Sequence, residues 1–161
     1  MAQERVNAKI IIENGTIIFR NFSGKESKFN RLGARNFCVI IDDPETAQQM
    51  KTEGWNIREM APRDGDDVAR YYLQVAVSYD HIPPRVFLIA GNARTELAES
   101  AIDALDYAEI LNADLTIRPY NWEVSGKGGV KAYLNSMYVT IEEDPFAGKY
   151  SRDEFPDEVP L

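Results

Sequence analysis

The stretch Arg118–Leu134, with the sequence RPYNWEVSGKGGVKAYL, predicts two β-strands joined by a glycine-rich, basic turn. Alternate side chains of a strand lie on the same face. The side chains expected on one face of the first strand are those of Arg118, Tyr120 and Trp122. The second strand is expected to present a matching row of Lys131, Tyr133 and Asn135. Such a mixture of cations and flat rings suits unpaired nucleic acid, because bases stack on the rings and phosphates contact the cations.

The register of this hairpin is ambiguous in the sequence. Ile117 is expected to face the core, which turns its neighbour Arg118 outward. On the second strand, however, the apolar Met137 has the same parity as Tyr133. Either a β-bulge near Asn135-Ser136 reverses the alternation, or the tip of the hairpin projects past the core as a free ribbon. Both arrangements are compatible with binding.

The composition indicates one globular domain. The chain has 161 residues, 44% of them hydrophobic, which is enough for a single core. Its only cysteine, Cys38, lies in the apolar run 37–41 and is expected to be reduced and buried, so an intrachain disulfide is excluded. No apolar stretch reaches the roughly 18 residues of a membrane span, and no signal peptide is recognisable. We therefore expect a cytoplasmic protein with no membrane association.

The formal net charge of −8 is distributed unevenly. Residues 1–40 contain seven Lys or Arg and three Asp or Glu, a net of +4. Residues 41–141 contain nine against sixteen, and residues 142–161 two against seven. Local potential decides where a polyanion docks, so this asymmetry permits nucleic-acid binding near the N-terminal third and disfavours it at the C-terminal end.

Two signals predict β-structure in the N-terminal third. Asn14-Gly15 is a strong type I′ turn signal, and it predicts a hairpin between strands at 8–13 and 16–22. The nearly continuous apolar run at 36–41 predicts a central strand that is buried on both sides.

A helix is expected next, because Asp43 can cap it, Pro44 suits its first position and Gly54 suits the position after its end. Apolar spacing predicts a second helix at 95–106. Further strands are expected at 55–60, 70–79, 85–90, 111–124 and 130–141. The sequence therefore predicts a mainly β domain with two short helices at 1–145, followed by a flexible acidic tail at 146–161.

The loop at 23–35 is rich in cations, and it follows a strand that carries further candidates. Clustered cations with interleaved aromatic rings are typical of nucleic-acid-binding surfaces. The alternative is a solvated loop and rings that belong to the core, since aromatic residues also favour strands. The candidate nucleic-acid-binding residues are Arg20, Phe22, Lys25, Lys28, Phe29, Arg31, Arg35, Arg118, Tyr120, Trp122, Lys127, Lys131 and Tyr133.

Catalytic motifs are missing from the sequence. The acidic segment 64–67 lacks the regular oxygen ligands and the final Glu of a calcium loop, so a solvated loop is expected there. His81 has no accompanying nucleophile motif. We therefore expect a protein that is not an enzyme and that has no metal site and no cofactor.

Three segments together resemble bacteriophage single-stranded DNA-binding proteins of the OB-fold type: 18–24 (IFRNFSG), 36–40 (NFCVI), and 118–122 (RPYNW) with 131–133 (KAY). The resemblance covers residues 8 to about 145. It implies a five-stranded, partly open Greek-key barrel, here with a long C-terminal hairpin, whose face and loops hold the DNA strand. It also implies a role in phage DNA replication or recombination in the host bacterial cytoplasm.

The tail is similar in style to acidic tips that recruit replication or recombination proteins, and Phe155 and Leu161 are the candidate partner-binding residues. It departs from such tips because it ends in Leu161 rather than an aromatic residue. Three rival functions stay open at this point: an acidic DNA-mimic inhibitor of a host nucleic-acid enzyme, a small metal-dependent nuclease, and a virion component. The sequence leaves the oligomeric state and the preference for DNA over RNA undetermined.

Overall fold

The computed structural model describes residues 5–62 and 69–142. The predicted tail at 146–161, with Phe155 and Leu161, and the acidic segment 64–67 lie outside these residues. The strands are β1 (Ile10–Gly15), β2 (Ile17–Asn21), β3 (Arg35–Ile41), β4 (Ile57–Met60), β5 (Arg70–Val77), β6 (Arg85–Ala90), β7 (Ala93–Leu97), β8 (Ile110–Val124) and β9 (Lys127–Ile141). They are accompanied by helix α1 (Pro44–Glu53) and a 3-10 helix (Glu99–Asp106). No helix in the described part of the chain is long and apolar enough to cross a bilayer.

The strands form one curved sheet whose main path runs β1-β8-β9-β5-β3-β2. β9 pairs with three other strands. Its first half pairs with β5 and its second half with β6, both in parallel, while β8 pairs with it along nearly its full length. β4 adds to the edge of β5, and β7 adds to β6. The fold is mainly β, as the sequence predicts, and the open sheet agrees with the partly open barrel that the family resemblance implies, with nine strands rather than five.

Helix α1 begins and ends as predicted. The Asp43 side chain accepts a hydrogen bond from the backbone N–H of Glu45, and Pro44 occupies the first turn. Gly54 ends the helix in the left-handed conformation, with φ of 106°, and its N–H returns to the carbonyls of Lys51 and Met50. Only glycine adopts this conformation without strain.

The prediction of a hairpin at Asn14-Gly15 is wrong. β1 and β2 exist, but β1 pairs with β8 and β2 pairs with β3, so the chain crosses from one end of the sheet path to the other at Gly15-Thr16. Gly15 is buried where the two ends meet: a Cβ there would lie 2.9 Å from Ile12 Cγ2 and 3.2 Å from the carbonyl oxygen of Ala113. The Asn-Gly pair therefore marks a close approach of backbones rather than a hairpin turn.

The predicted helix at 95–106 is also wrong in its first part. Residues 95–97 belong to β7, which forms a hairpin with β6, and the turn uses Gly91 with φ of 58°. The remainder is a 3-10 helix that buries Ile102 and Leu105. Periodicity over so short a window did not separate a strand end from a helix start.

A bulge resolves the register of the long hairpin. Thr116 pairs with Ser136, but its neighbour Ile117 pairs with Leu134, which leaves Asn135 as an extra residue in β9. The alternation in β9 therefore reverses at that point, so both halves of the strand keep apolar residues on the core side. The turn itself is short: Ser125 and Gly126 both have positive φ, of 53° and 82°, which is the pattern of a type I′ turn.

The two faces of this sheet differ sharply. The core face buries Phe37, Val39, Leu73, Val75, Ala132, Leu134 and Ile117. The pairing register places the alternate residues together on the other side, which we call the outer face. The outer face consists of Ile18, Asn36, Cys38, Ile40, Arg58, Met60, Arg70, Tyr72, Gln74, Ala76, Arg118, Tyr120, Trp122, Gly129, Lys131 and Tyr133.

We predict that Gly15→Val lowers the free energy of unfolding by ~1–3 kcal/mol, because an added side chain must displace Ile12 or the backbone at Ala113. Chemical denaturation followed by circular dichroism measures this change. Thr16→Val is the matched control, since Thr16 is exposed and already carries a β-branched side chain. Equal effects of the two substitutions would contradict the proposed closure at Gly15.

Candidate nucleic-acid interface

The tip of the β8–β9 hairpin brings six of the outer-face residues into direct register. Arg118 pairs with Tyr133, Tyr120 with Lys131, and Trp122 with Gly129. Residues that pair across a ladder share a face, so all six project to the same side. Tyr120 and Trp122 expose 53% and 41% of their surface, which leaves ring area open to a ligand.

Tyr133 is the centre of this group. The guanidinium of Arg118 lies 4.7 Å from the centre of its ring, and the ammonium of Lys131 lies 5.0 Å from it. Tyr120 meets the same ring edge-on at 5.9 Å. The Nε of Arg118 is buried and has no hydrogen-bond acceptor among the described residues. Cation–π attraction thus holds two positive charges beside two rings, and no carboxylate of residues 5–62 or 69–142 forms an ion pair with either charge.

The indole of Trp122 occupies the space left by the absent side chain of Gly129. A Cβ at Gly129 would lie 3.0 to 3.1 Å from the indole atoms Cζ2, Cε2 and Nε1, which is closer than ordinary contact. The indole therefore packs against the backbone of β9 at Gly129. This contact fixes the orientation of the ring while part of it stays exposed.

An open cleft of about 570 Å³ lies between this hairpin and the neighbouring strands. Trp122, Gly129 and Lys131 line one side of it, and Gln74 and Asn36 line it from β5 and β3. Asn36 and Gln74 are not among the residues predicted from the sequence to bind nucleic acid. The sequence does indicate that Gln74 faces away from the core, because it alternates with the apolar residues of the correctly predicted strand at 70–79.

The basic loop borders the same cleft, which Asn30 and Ala34 also line. Lys28, Phe29 and Arg31 are exposed, Phe29 by 91%, and the Lys28 ammonium lies 5.7 Å from the Phe29 ring centre. Lys25 is exposed but faces the 3-10 helix, where its ammonium donates a hydrogen bond to the Tyr107 hydroxyl. That hydrogen bond raises the pKa of Lys25. Lys127 is exposed at the hairpin turn.

Three of the candidate residues make contacts within the fold. Phe22 is fully buried and stacks on Phe37 at 5.1 Å, so its ring offers no face to a base. Arg20 donates two hydrogen bonds to backbone carbonyls at the end of the 3-10 helix. Arg35 lines the cleft, but it donates to the Phe22 carbonyl and lies 3.7 Å from the carboxylate of Glu99. The sequence pattern could not distinguish these partners from solvent.

Cys38 lies on the outer face and is buried, as expected. Burial raises its pKa to about 11, and the charge of nearby Arg58 opposes that shift. The thiol is therefore neutral at physiological pH and adds no negative charge to this face.

The fold and this surface define a class: a mainly β, OB-type protein that presents exposed rings and cations beside an open cleft. The family model described as "Putative phage ssDNA-binding domain" matches residues 1–160. The chain belongs to this family, as predicted, and single-stranded DNA binding is the function of that family.

The structural comparisons agree with this class. The chain is similar to the single-stranded DNA-binding protein of bacteriophage Enc34 with a C-terminal truncation: the TM-score is 0.52 at 15% identity over 91% of this chain and 99% of that one. It is also similar to the Enc34 protein in complex with single-stranded DNA, with a TM-score of 0.50 at 16% identity over 86% of this chain and 89% of that one. A search of curated protein sequences found no significant match. At this identity the structural likeness supports the fold.

We predict that Gly129→Ala displaces the Trp122 indole, because the new methyl group would lie about 3 Å from ring atoms. Fluorescence quenching by acrylamide measures the displacement, since the only other tryptophan, Trp55, is 97% buried. Gly128→Ala is the control: Gly128 pairs with Glu123, so its added methyl group points to the opposite face from Trp122. Unchanged quenching in Gly129→Ala would show that the indole does not rest on Gly129.

Proposed function

We propose that this protein binds single-stranded DNA through the β8–β9 hairpin and the adjoining cleft, without strong sequence preference. The observation that supports this most is the direct pairing of exposed Tyr120 and Trp122 with Lys131 and Gly129, next to the ring of Tyr133 and its two cations. In this proposal the three rings stack on bases, and Arg118, Lys127 and Lys131 contact phosphates. Each stacked base contributes ~1–3 kcal/mol.

The arrangement favours unpaired strands over duplexes. Stacking on Tyr120 or Trp122 requires an open base face, and bases inside a duplex have none. Every base has such a face, so recognition by rings tolerates any sequence. Each neutralised phosphate steepens the dependence of affinity on salt by about 0.7 in a log–log plot for single strands.

The exposed part of the basic loop extends the phosphate-binding surface. Lys28, Phe29 and Arg31 lie within two residues of Asn30, which lines the cleft, and all three side chains are exposed. We assign Lys25 a secondary role there because Tyr107 already engages it. Arg20, Phe22 and Arg35 are assigned to holding the loop and the core rather than to DNA.

The biological setting is proposed from the family and from the sequence. Coating and protection of single-stranded DNA in phage replication or recombination, in the host cytoplasm, fits a sequence-tolerant binder with no catalytic role. The acidic tail at 146–161 is proposed as a docking segment for replication or recombination proteins, with Phe155 and Leu161 as contacts. Its negative charge would also compete with DNA for the cations of the hairpin.

The rival functions make different use of the same surface. A DNA mimic needs rows of carboxylates, whereas the hairpin face presents Arg118 and Lys131 between rings. A metal-dependent nuclease predicts cleavage of the bound strand when Mg²⁺ is added, and a virion component predicts recovery with purified particles. A gel-shift assay with single- and double-stranded oligonucleotides, with and without Mg²⁺, distinguishes the first two from the binder.

We predict that Trp122→Ala and Tyr120→Ala each weaken binding of single-stranded DNA by about 5-fold to about 150-fold, because each removes one stacking ring. Fluorescence anisotropy with a labelled oligothymidine measures the affinity, and the melting temperature confirms that each variant is folded.

The matched control for this test is Tyr138→Ala. Like Tyr120 and Trp122, Tyr138 has a partly exposed ring, but it lies on β9 beyond the bulge, about 15 Å from Tyr133 at the rise of a strand. It stacks on Phe87 and pairs with the acidic Asp114. Equal losses in all three variants, or no loss in either hairpin variant, would remove the stacking assignment.

A further inference from the structure

The aromatic surface of this protein does not end at the hairpin. Phe19 exposes 60% of its surface, and its ring meets Tyr72 edge-on, with 5.5 Å between the ring centres. Phe19 lies on β2 and Tyr72 on β5, with β3 between them in the sheet. The Phe19 ring therefore reaches across one strand of the outer face to form a second aromatic pair.

The backbone at Phe19 is held in an unusual conformation. Its φ is +51°, in the left-handed region that bulky side chains rarely adopt. The pairing of β2 with β3 shifts between Ile18 and Asn21, so Phe19 and Arg20 together oppose a single residue of β3. Bulges of this kind redirect side chains. Here the bulge exposes the ring of Phe19 and lets Arg20 bond to the end of the 3-10 helix.

The second aromatic pair is continuous with the hairpin cleft. Gln74 lines the cleft, and Tyr72 is the next residue of β5 on the same face. Ala76 pairs with Tyr133, and Tyr72 lies four residues earlier on β5, which is about 13 Å at the rise of an extended strand. A single strand of DNA that leaves Tyr133 along β5 would therefore reach the Phe19–Tyr72 pair within a few nucleotides.

The charges along this path favour a polyanion. Arg58 pairs with Tyr72, and Arg70 pairs with Met60 on the same face; both arginines are exposed. None of the sixteen residues named as the outer face is Asp or Glu, although the chain contains 26 acidic residues. The acidic residue that alternates to the same side of β8, Asp114, lies four residues before Arg118, opposite Tyr138 and away from this path. The acidic Glu59 of β4 points to the opposite side, because it alternates with Arg58.

We propose that Phe19, Tyr72 and Arg58 form a second base-stacking and phosphate-binding subsite, so that single-stranded DNA crosses the sheet from the β8–β9 hairpin over β5 to the β2 bulge. This inference rests on the proposed function and adds the path of the strand. In this proposal, the strained backbone at Phe19 serves to present the ring to a base.

The test uses the full chain and two labelled oligothymidines, of about 4 and about 12 nucleotides, chosen from the range of site sizes known for single OB folds. The variant is Phe19→Gly, which removes the ring and suits the positive φ. We expect no change in affinity for the short oligonucleotide, which the hairpin cleft accommodates. For the long one we expect a loss of about 5-fold to about 100-fold.

Three further variants make the outcome decisive. Tyr72→Leu keeps an apolar side chain, and it is expected to reproduce the effect of Phe19→Gly if that variant does not fold. Arg58→Gln is expected to flatten the log–log salt dependence for the long oligonucleotide by about 0.7. Leu111→Ala, which truncates a residue that is 61% exposed and lies off the outer face, is expected to change nothing.

Different results would contradict the second subsite and the proposed function. If Trp122→Ala weakens both oligonucleotides while Phe19→Gly and Tyr72→Leu weaken neither, the hairpin binds DNA and the second subsite is overturned. If Trp122→Ala weakens neither oligonucleotide, the proposed function itself fails. A loss in Phe19→Gly that is equal for both lengths would also overturn the path across the sheet.

Discussion

Strict alternation of side chains between the two faces of the sheet is the constraint on which this structure depends. β8 and β9 form a ladder of fifteen residues each, and every residue on it must face either the core or solvent. Both halves of β9 place apolar side chains in the core only because Asn135 is the extra residue of a bulge. Without that bulge, either Tyr133 and Lys131 would turn inward or Met137 and Val139 would turn outward.

A second bulge, in β2, has the same effect. The bulge at Phe19 keeps Ile17 in the core beside Val39, while the chain after it delivers Phe22 to the core. Between the two inward residues, one ring is exposed and one guanidinium is anchored to the 3-10 helix. Both bulges therefore let an apolar core and an aromatic outer face be encoded in the same strands.

The position of the acidic residues matters as much as their number. A net charge of −8 opposes binding to a polyanion only if the charge is spread evenly. None of the sixteen residues named as the outer face is Asp or Glu, and Arg58, Arg70, Arg118 and Lys131 lie among them. Asp114 alternates to the same side of β8 but lies four residues before Arg118, opposite Tyr138. In the proposed binding mode, the negative charge elsewhere weakens attraction of DNA to the remainder of the surface and directs it to the outer face.

Much of this could be predicted from the sequence, and the exceptions have physical reasons. The caps of α1, the central strand β3 and the final hairpin are specified by local residues, so they were predicted correctly. The Asn14-Gly15 hairpin was wrong because long-range pairing with β8 and β3 outweighed a local turn preference. Phe22 and Phe19 are only three residues apart, and only the bulge determines which ring is buried. The second aromatic pair joins residues 53 positions apart, so no local pattern indicated it.

Photocrosslinking tests the central claim most directly, because it reports which residues touch the DNA rather than how tightly it binds. Oligothymidine that contains 5-iodouracil would be irradiated with the full chain, and crosslinked peptides would be mapped by mass spectrometry. This account predicts crosslinks at the rings of the outer face, with Tyr120, Trp122 and Tyr133 first among them. Crosslinks confined to the β6–β7 hairpin or to the far half of β9, with none on the outer face, would contradict it.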